Sequence, residues 1–194
     1  MRKGEPRVDE KCCVYVVFTR TKTTISRLIN RVKHDKYTHA SLALDRELNY
    51  MYSFGRKWAR NPFIGKFKHE HLQQGLFKIQ KTLPGAVLEL DVTKDQYAKV
   101  KTIVDEFVTH PGMYKYNYLG LVHCLLKTEV CYENRFLCSE FVYHVLHESG
   151  ILDLNKARNL VRPQHLYDAL RKLDSCRIIY EGDLKKFYRE EKMA

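Results

Sequence analysis

Strand-type and helix-type patterns occupy different parts of this sequence, and that division constrains the fold most. Five short runs rich in β-branched, aromatic or aliphatic residues are typical of strands: 12–18, 37–44, 49–54, 77–80 and 86–91. Helical periodicity mostly follows them: 25–33, 93–108, 119–126, 138–149 and 164–173. A last strand-type run lies at 177–180. This order favours an α+β class, an antiparallel sheet with helices packed against it, in one domain over 1–194 with its core at about 12–180.

Turn and cap signals define the local boundaries. A short polar stretch at 45–48 separates the runs 37–44 and 49–54, which predicts a β-hairpin. Thr93 and Gln96 have the spacing of a capping box at a helix start. Residues 55–75 contain glycine, proline and many basic side chains, so we expect a basic surface loop there.

Charge and cysteine usage exclude some functions. The 34 Lys and Arg against 23 Asp and Glu give a net charge of +11. These cations are scattered, which predicts weak affinity for anionic surfaces and no specific nucleic-acid binding. The six cysteines lack zinc-site spacing, and His69 and His71 have no obvious third ligand, so we expect neither metal nor cofactor. Without a membrane-length apolar run or an apolar leader, we expect a cytoplasmic protein.

Cys138 is the strongest candidate for a reactive side chain. It opens a run in which Phe141, Val142 and Val145 recur at helical spacing. The first turn of a helix has N–H groups without intrahelical partners and a partial positive charge, which stabilise a thiolate and an oxyanion. Position alone favours an ordinary packed cysteine, because free cysteines are commonly buried.

His39 changes that balance. It lies in an otherwise apolar strand-type run, on the same face as Ser41 and Ala43. Imidazole is the usual base for a thiol, because it accepts a proton near neutral pH. The two residues are 99 positions apart, so only a fold that brings sheet and helix together can join them.

Two segments carry a resemblance to a known family. Tyr37-Thr-His-Ala-Ser-Leu-Ala-Leu44 and Phe136-Leu-Cys-Ser-Glu-Phe-Val142 resemble the permuted NlpC-type papain-like cysteine hydrolases, in particular the YiiX-like branch. In those proteins the catalytic histidine precedes the cysteine, the reverse of papain. The resemblance covers roughly residues 12–170 and implies a circularly permuted papain-like fold.

The resemblance implies a role for each matching residue. Cys138 would be the nucleophile and His39 the general base. Ser53 would orient the imidazole at a position where other YiiX-like proteins carry Glu, and a serine does not stabilise an imidazolium as a carboxylate does. Tyr116 and Ser139 would line the oxyanion side of the site. Further candidates for substrate contacts are Tyr114, Tyr118 and Glu140.

Two functions remain open from the sequence. The first is a thiol hydrolase or acyltransferase that attacks an amide or ester carbonyl of a peptide, an isopeptide or a lipid-like substrate through a thioester. The alternative is a catalytically idle module of the same fold that binds an acidic ligand. The absence of a carboxylate orienter at the position of Ser53 keeps this alternative open.

Overall fold

The structure, a computed structural model, describes residues 12–20, 35–58 and 61–191. It confirms the α+β class. Six antiparallel strands form one sheet in the order β4-β3-β2-β1-β5-β8. Their bounds are β1 Cys12–Thr19, β2 His39–Ala43, β3 Met51–Trp58, β4 Asn61–Glu70, β5 Pro84–Val92 and β8 Cys176–Asp183. Two short parallel strands, β6 Lys115–Tyr116 and β7 Arg135–Phe136, form a second sheet.

Helices cover both faces of the six-stranded sheet. They are α1 Gly75–Ile79, α2 Lys94–Thr109, α3 Tyr118–Leu126, α4 Cys138–Glu148, α5 Pro163–Leu170 and α6 Leu184–Glu191, with a 3-10 turn at Arg158–Leu160. The predicted capping box forms at α2, where Thr93 and Gln96 exchange hydrogen bonds.

The sheet separates two hydrophobic cores. Alternate residues of β1 point to opposite faces, so Val16 joins the larger core and Val17 the smaller one. Side chains of α2, α4 and α5 complete the larger core, and those of α1 and α6 complete the smaller one. Because both faces are covered, β1 is apolar along nearly its whole length rather than alternating.

The structure contradicts two sequence expectations, and a third lies outside the residues that it describes. The loop expected at 55–75 is wrong, because β3 and β4 run through most of it as a paired hairpin. The strand expected at 77–80 is also wrong, because Phe77 belongs to α1 and packs into the smaller core. The helix expected at 25–33 lies outside the described residues.

Within the described ranges, no helix combines the length and the apolar character needed to cross a bilayer.

Candidate active site

Cys138 is the first residue of α4, as the sequence predicts. The first intrahelical hydrogen bond runs from Phe141 N to Leu137 O over 3.0 Å. The N–H groups of the first turn therefore have no carbonyl partner within the helix. Cys138 is partly exposed. Solvent therefore reaches Cys138, which lies at the positive end of an eleven-residue helix.

Glu140 fixes this helix start from inside the protein. Its Oε2 accepts a hydrogen bond from Leu137 N over 2.8 Å, and both its oxygens accept from Asn117 Nδ2 over 3.1 Å. Asn117 is itself the N-cap of α3 and accepts from Gly120 N. Burial raises the pKa of Glu140, which is fully buried. The expectation that Glu140 contacts substrate is therefore wrong, because its carboxylate is enclosed and caps the helix.

Ser139 is also directed into the protein. Its hydroxyl is buried and donates to Val161 O over 2.6 Å. The expectation that its side chain lines the site is wrong, because the hydroxyl links α4 to the segment that precedes α5. Its backbone N–H remains part of the first helical turn.

His39 meets Cys138 at the end of the sheet. His39 is the first residue of β2, and Cys138 lies close enough to its imidazole to contribute to the raised pKa of that ring. The other contacts of the ring involve Nε2, which lies 2.9 Å from Glu70 Oε2 and 3.3 Å from Ser41 Oγ. Nδ1 is thus the nitrogen left to face the thiol. The structure brings the two predicted residues together despite their separation in sequence.

Glu70 is the partner of the His39 imidazole that sequence reasoning missed. It ends β4 inside the segment expected to be a loop, and only 3% of its side chain is exposed. Its Oε2 also accepts from Ser41 Oγ over 2.6 Å. The charged residues Lys66, Lys68 and Glu70 occupy alternate positions, so they would share one face of a strand. That alternation is the sequence signal that could have indicated a strand here.

The buried pair of His39 and Glu70 perturbs both groups. Burial alone would lower the pKa of His39, but the Glu70 carboxylate, aided by Cys138, raises it from 6.5 to about 10. Burial alone would raise the pKa of Glu70, but His39, together with Lys68 and Ser41, lowers it from 4.5 to about 2. The imidazole is therefore cationic at neutral pH, and a cation beside a thiol stabilises the thiolate.

Ser53 has a different role from the one expected. Its hydroxyl is buried and donates to Ala40 O over 2.7 Å, and Glu70 takes the position beside the imidazole. The backbone pairing of β2 and β3 is limited to Leu42 with Tyr52 and Ala43 with Met51. The expectation that Ser53 orients the imidazole is thus wrong: it satisfies a carbonyl where the ladder has ended, next to His39.

The three tyrosines lie in different environments. The hydroxyl of Tyr114 donates to Glu106 Oε1 over 2.5 Å and its ring stacks on Phe107, so Tyr114 packs on α2. The expected substrate contact of Tyr114 stays a prediction. Tyr116 pairs with Phe136, two residues before the nucleophile, and its ring covers Gly65, where a Cβ would lie 2.2 Å from it. Tyr118 packs against Tyr116, with a buried hydroxyl near the Gly65 backbone. Tyr116, through its backbone pairing, and Tyr114, through a ring contact of 5.9 Å, both adjoin Phe136 in the segment that leads to Cys138.

A cavity opens at the same end of the sheet as His39. Thr19 of β1 pairs with His39 on one side and Gly85 on the other, and Gly85 pairs with Gly182. The cavity has a volume of about 410 Å³, within the usual range for small-ligand sites. It is lined by Arg20, Lys36, Tyr37, Pro84, Gly85, Glu181, Gly182 and Asp183.

Potential metal ligands cluster at one place among the described side chains. One group, Cys13, Glu89 and Asp91, has ligand atoms close enough to share an ion. Arg177 already ion-pairs with both carboxylates, at 2.5 Å and 2.9 Å. The donor set therefore has a cation of its own and does not suit a metal.

The two histidines that flank Glu70 turn to separate partners. His69 Nε2 contacts Asn49 O, and His71 Nε2 lies 3.2 Å from the Tyr188 hydroxyl. They do not converge on one position, which a shared metal would require.

Comparison of the chain with family models, curated proteins and solved structures found no match.

Proposed function

We propose that this chain is a cysteine hydrolase or acyltransferase with a circularly permuted papain-like fold. One arrangement carries the proposal: the imidazole of His39 lies between a buried carboxylate, Glu70, and the side chain of Cys138, which opens a helix. Acyl transfer requires a nucleophile, a base and a group that orients the base, and these three residues can fill those roles. The order of histidine before cysteine agrees with the family resemblance.

The first half of the reaction forms a thioester. Cys138 and His39 react as a thiolate–imidazolium pair, in which His39 Nδ1 holds the proton of the thiol and Glu70 stabilises the imidazolium. The thiolate attacks the carbonyl carbon of an amide or ester, and the oxyanion faces the N–H groups at the start of α4. As the carbon–nitrogen or carbon–oxygen bond breaks, His39 returns the proton to the leaving amine or alcohol.

The second half releases the acyl group. Water, or an acceptor hydroxyl or amine, gives a proton to His39 and attacks the thioester carbonyl. The carbon–sulfur bond breaks, and the proton returns to the Cys138 sulfur. With water the chain is a hydrolase, and with another acceptor it is an acyltransferase.

Glu70 also weighs against the alternative of an idle binding module. From the sequence, that alternative stays open because Ser53 takes the place of a carboxylate beside the imidazole. The structure has a carboxylate in hydrogen-bond contact with His39, supplied by a different strand from the one expected. A fixed cationic imidazole next to a partly exposed cysteine supports catalysis better than passive binding.

Selective alkylation tests the proposal. At neutral pH, iodoacetamide should label Cys138 at least tenfold faster than a free cysteine peptide, because a thiolate is the reactive form. His39→Ala should remove that advantage. Cys131→Ser, which changes an exposed cysteine, is the matched control and should leave the rate at Cys138 unchanged. Labelling of Cys138 no faster than the peptide would contradict the proposal.

Acyl-enzyme trapping tests the chemistry itself. With a p-nitrophenyl ester we expect a burst of p-nitrophenol and a mass increase on Cys138 that hydroxylamine removes. Cys138→Ser should remove the hydroxylamine-sensitive adduct, because a serine forms an oxygen ester and lacks the reactivity of the thiolate. An adduct on another residue would count against the assignment.

A further inference from the structure

The Glu70 carboxylate is shared between two cationic groups. One oxygen, Oε2, contacts His39 and Ser41. The other, Oε1, lies 3.1 Å from the Lys68 ammonium. The Lys68 side chain is 25% exposed, so this ion pair is only partly open to solvent.

The opposite strand leaves space for this pair. Lys68 and Glu70 occupy alternate positions of β4 and thus share a face, and β3 lies beside them. A Cβ at Gly55 of β3 would lie 2.9 Å from Lys68 Cε and 3.1 Å from Glu70 Oε1. The two head groups therefore occupy the volume that a side chain at Gly55 would need.

The groups that face this pair come from four elements. Among the described residues, the titratable or charged ones are Lys68 of β4, and Cys138 of α4 beside the imidazole. Ser41 of β2 contributes a hydroxyl, and Phe77 of α1 places its ring 6.0 Å from that of His39. Lys68 is thus the cation that opposes the imidazolium across Glu70.

A buried carboxylate facing an imidazole has two opposed effects on acyl transfer. It stabilises the imidazolium and so favours the thiolate, but it also makes His39 a weaker acid toward the leaving group. A second cation on the carboxylate reduces the negative field at the imidazole. It also keeps the carboxylate ionised and holds Oε2 toward Nε2.

We propose that Lys68 is a positioning residue that acts through Glu70 to limit the basicity of His39, so that the imidazolium still gives its proton to the leaving group. This inference rests on the proposed function for its catalytic consequence. The coupling between Lys68 and His39 itself is a property of the fold and is measurable without substrate.

The variant Lys68→Met tests the coupling through the titration of His39. Removing the ammonium leaves the Glu70 charge to face His39 alone, so we expect the pKa of His39, followed by NMR of the labelled imidazole, to rise by about one pH unit. Lys68→Arg should restore the titration of the parent protein. Lys66→Met is the matched control, because Lys66 is an exposed lysine two positions earlier on β4 and should not move the titration.

A second readout distinguishes tuning of the base from a general loss of structure. Lys68→Met should slow the cleavage of an alkyl ester or amide about tenfold, because those leaving groups need the proton of His39. It should slow a p-nitrophenyl ester much less, because p-nitrophenolate leaves without one. Equal losses on both substrates would overturn the positioning role.

The failures of the two proposals are distinguishable. An unchanged His39 titration in Lys68→Met, or an equal change in Lys66→Met, overturns the inference about Lys68 whatever the reactivity of Cys138. An unreactive Cys138 in the parent protein overturns the proposed function, and a shifted His39 titration would then still support the coupling.

Discussion

His39 Nε2 lies 2.9 Å from Glu70 Oε2, although 31 positions separate the two residues and β3 stands between their strands. Glu70 reaches past β3 because that strand presents the small residues Ser53 and Gly55 beside it. The imidazole and its carboxylate partner thus meet across a strand rather than along one, which explains why the sequence places the partner of His39 at Ser53 of β3 instead.

Removal of the Glu70 charge is the most direct test of this contact. In Glu70→Gln we expect kcat/KM for an ester substrate to fall by about 10²- to 10⁴-fold, because the imidazolium loses its stabilising charge. The pKa of His39, measured by NMR, should fall toward its ordinary value. Glu106→Gln, an exposed carboxylate on α2 that binds Tyr114, is the matched control. Equal kinetics in the parent protein and in Glu70→Gln would exclude Glu70 from the mechanism.

Ser53 should affect stability more than it affects the titration of the base. In Ser53→Ala the buried Ala40 carbonyl loses a donor, which should cost about 1–3 kcal/mol of the free energy of unfolding. The titration of His39 should stay close to that of the parent protein, because Ser53 does not contact the ring. Urea unfolding and NMR measure the two effects. A large shift of the His39 titration without loss of stability would instead support the orienting role expected from sequence.

The sequence predicted most elements but only part of the site. Apolar runs such as 12–18 and the capping box at Thr93 depend on local rules, and the structure agrees with both. The segment 55–75 was misassigned because its glycines and cations resemble a loop, whereas pairing with β3 makes β4 a strand. Glu70 is missed for that reason: the alternation of Lys66, Lys68 and Glu70 is a weak strand signal, and long-range pairing with β3 sets the position of Glu70.

The histidine–carboxylate pair should make stability depend on pH in two separate windows. The pKa of His39 is raised from 6.5 to about 10, so its stabilising contribution is complete below pH 6.5 and is lost as the pH rises toward 10. The pKa of Glu70 is lowered from 4.5 to about 2, so its contribution is present above pH 4.5 and is lost as the pH falls toward 2.

Urea unfolding at about pH 6, 8 and 9.5 measures the first window. The free energy of unfolding of the parent protein should fall across this series by more than that of His39→Gln, which lacks the titrating group. The difference between the two proteins isolates His39 from the other groups that titrate there. Parallel decreases in both proteins would contradict a stabilising imidazolium.

Glu140, which caps the start of α4, should control the reactivity of Cys138 without contacting its sulfur. In Glu140→Ala the buried Leu137 N–H and the Asn117 amide lose their acceptor, so we expect a loss of about 2–4 kcal/mol in stability. The alkylation rate of Cys138 should fall as well, because the helix start is no longer fixed.

Ser149→Ala is the matched control for that variant. Ser149 is buried at the other end of the helix, where its hydroxyl donates to Val145 O over 2.7 Å. It should lower the stability while the alkylation rate of Cys138 stays unchanged in the folded protein. Equal effects of both variants on that rate would show that helix stability, rather than the cap, governs the thiol.

The three groups of the site come from β2, β4 and α4, and this dispersal has a consequence for how the protein acquires activity. No short segment of the chain contains two of them, so a partly folded intermediate with native hairpins but an undocked α4 would be inert. The reactivity of a single thiol should therefore appear only at the last stage of refolding. In a time-resolved labelling experiment, the rate at which Cys138 becomes reactive would therefore measure the rate at which α4 docks on the sheet.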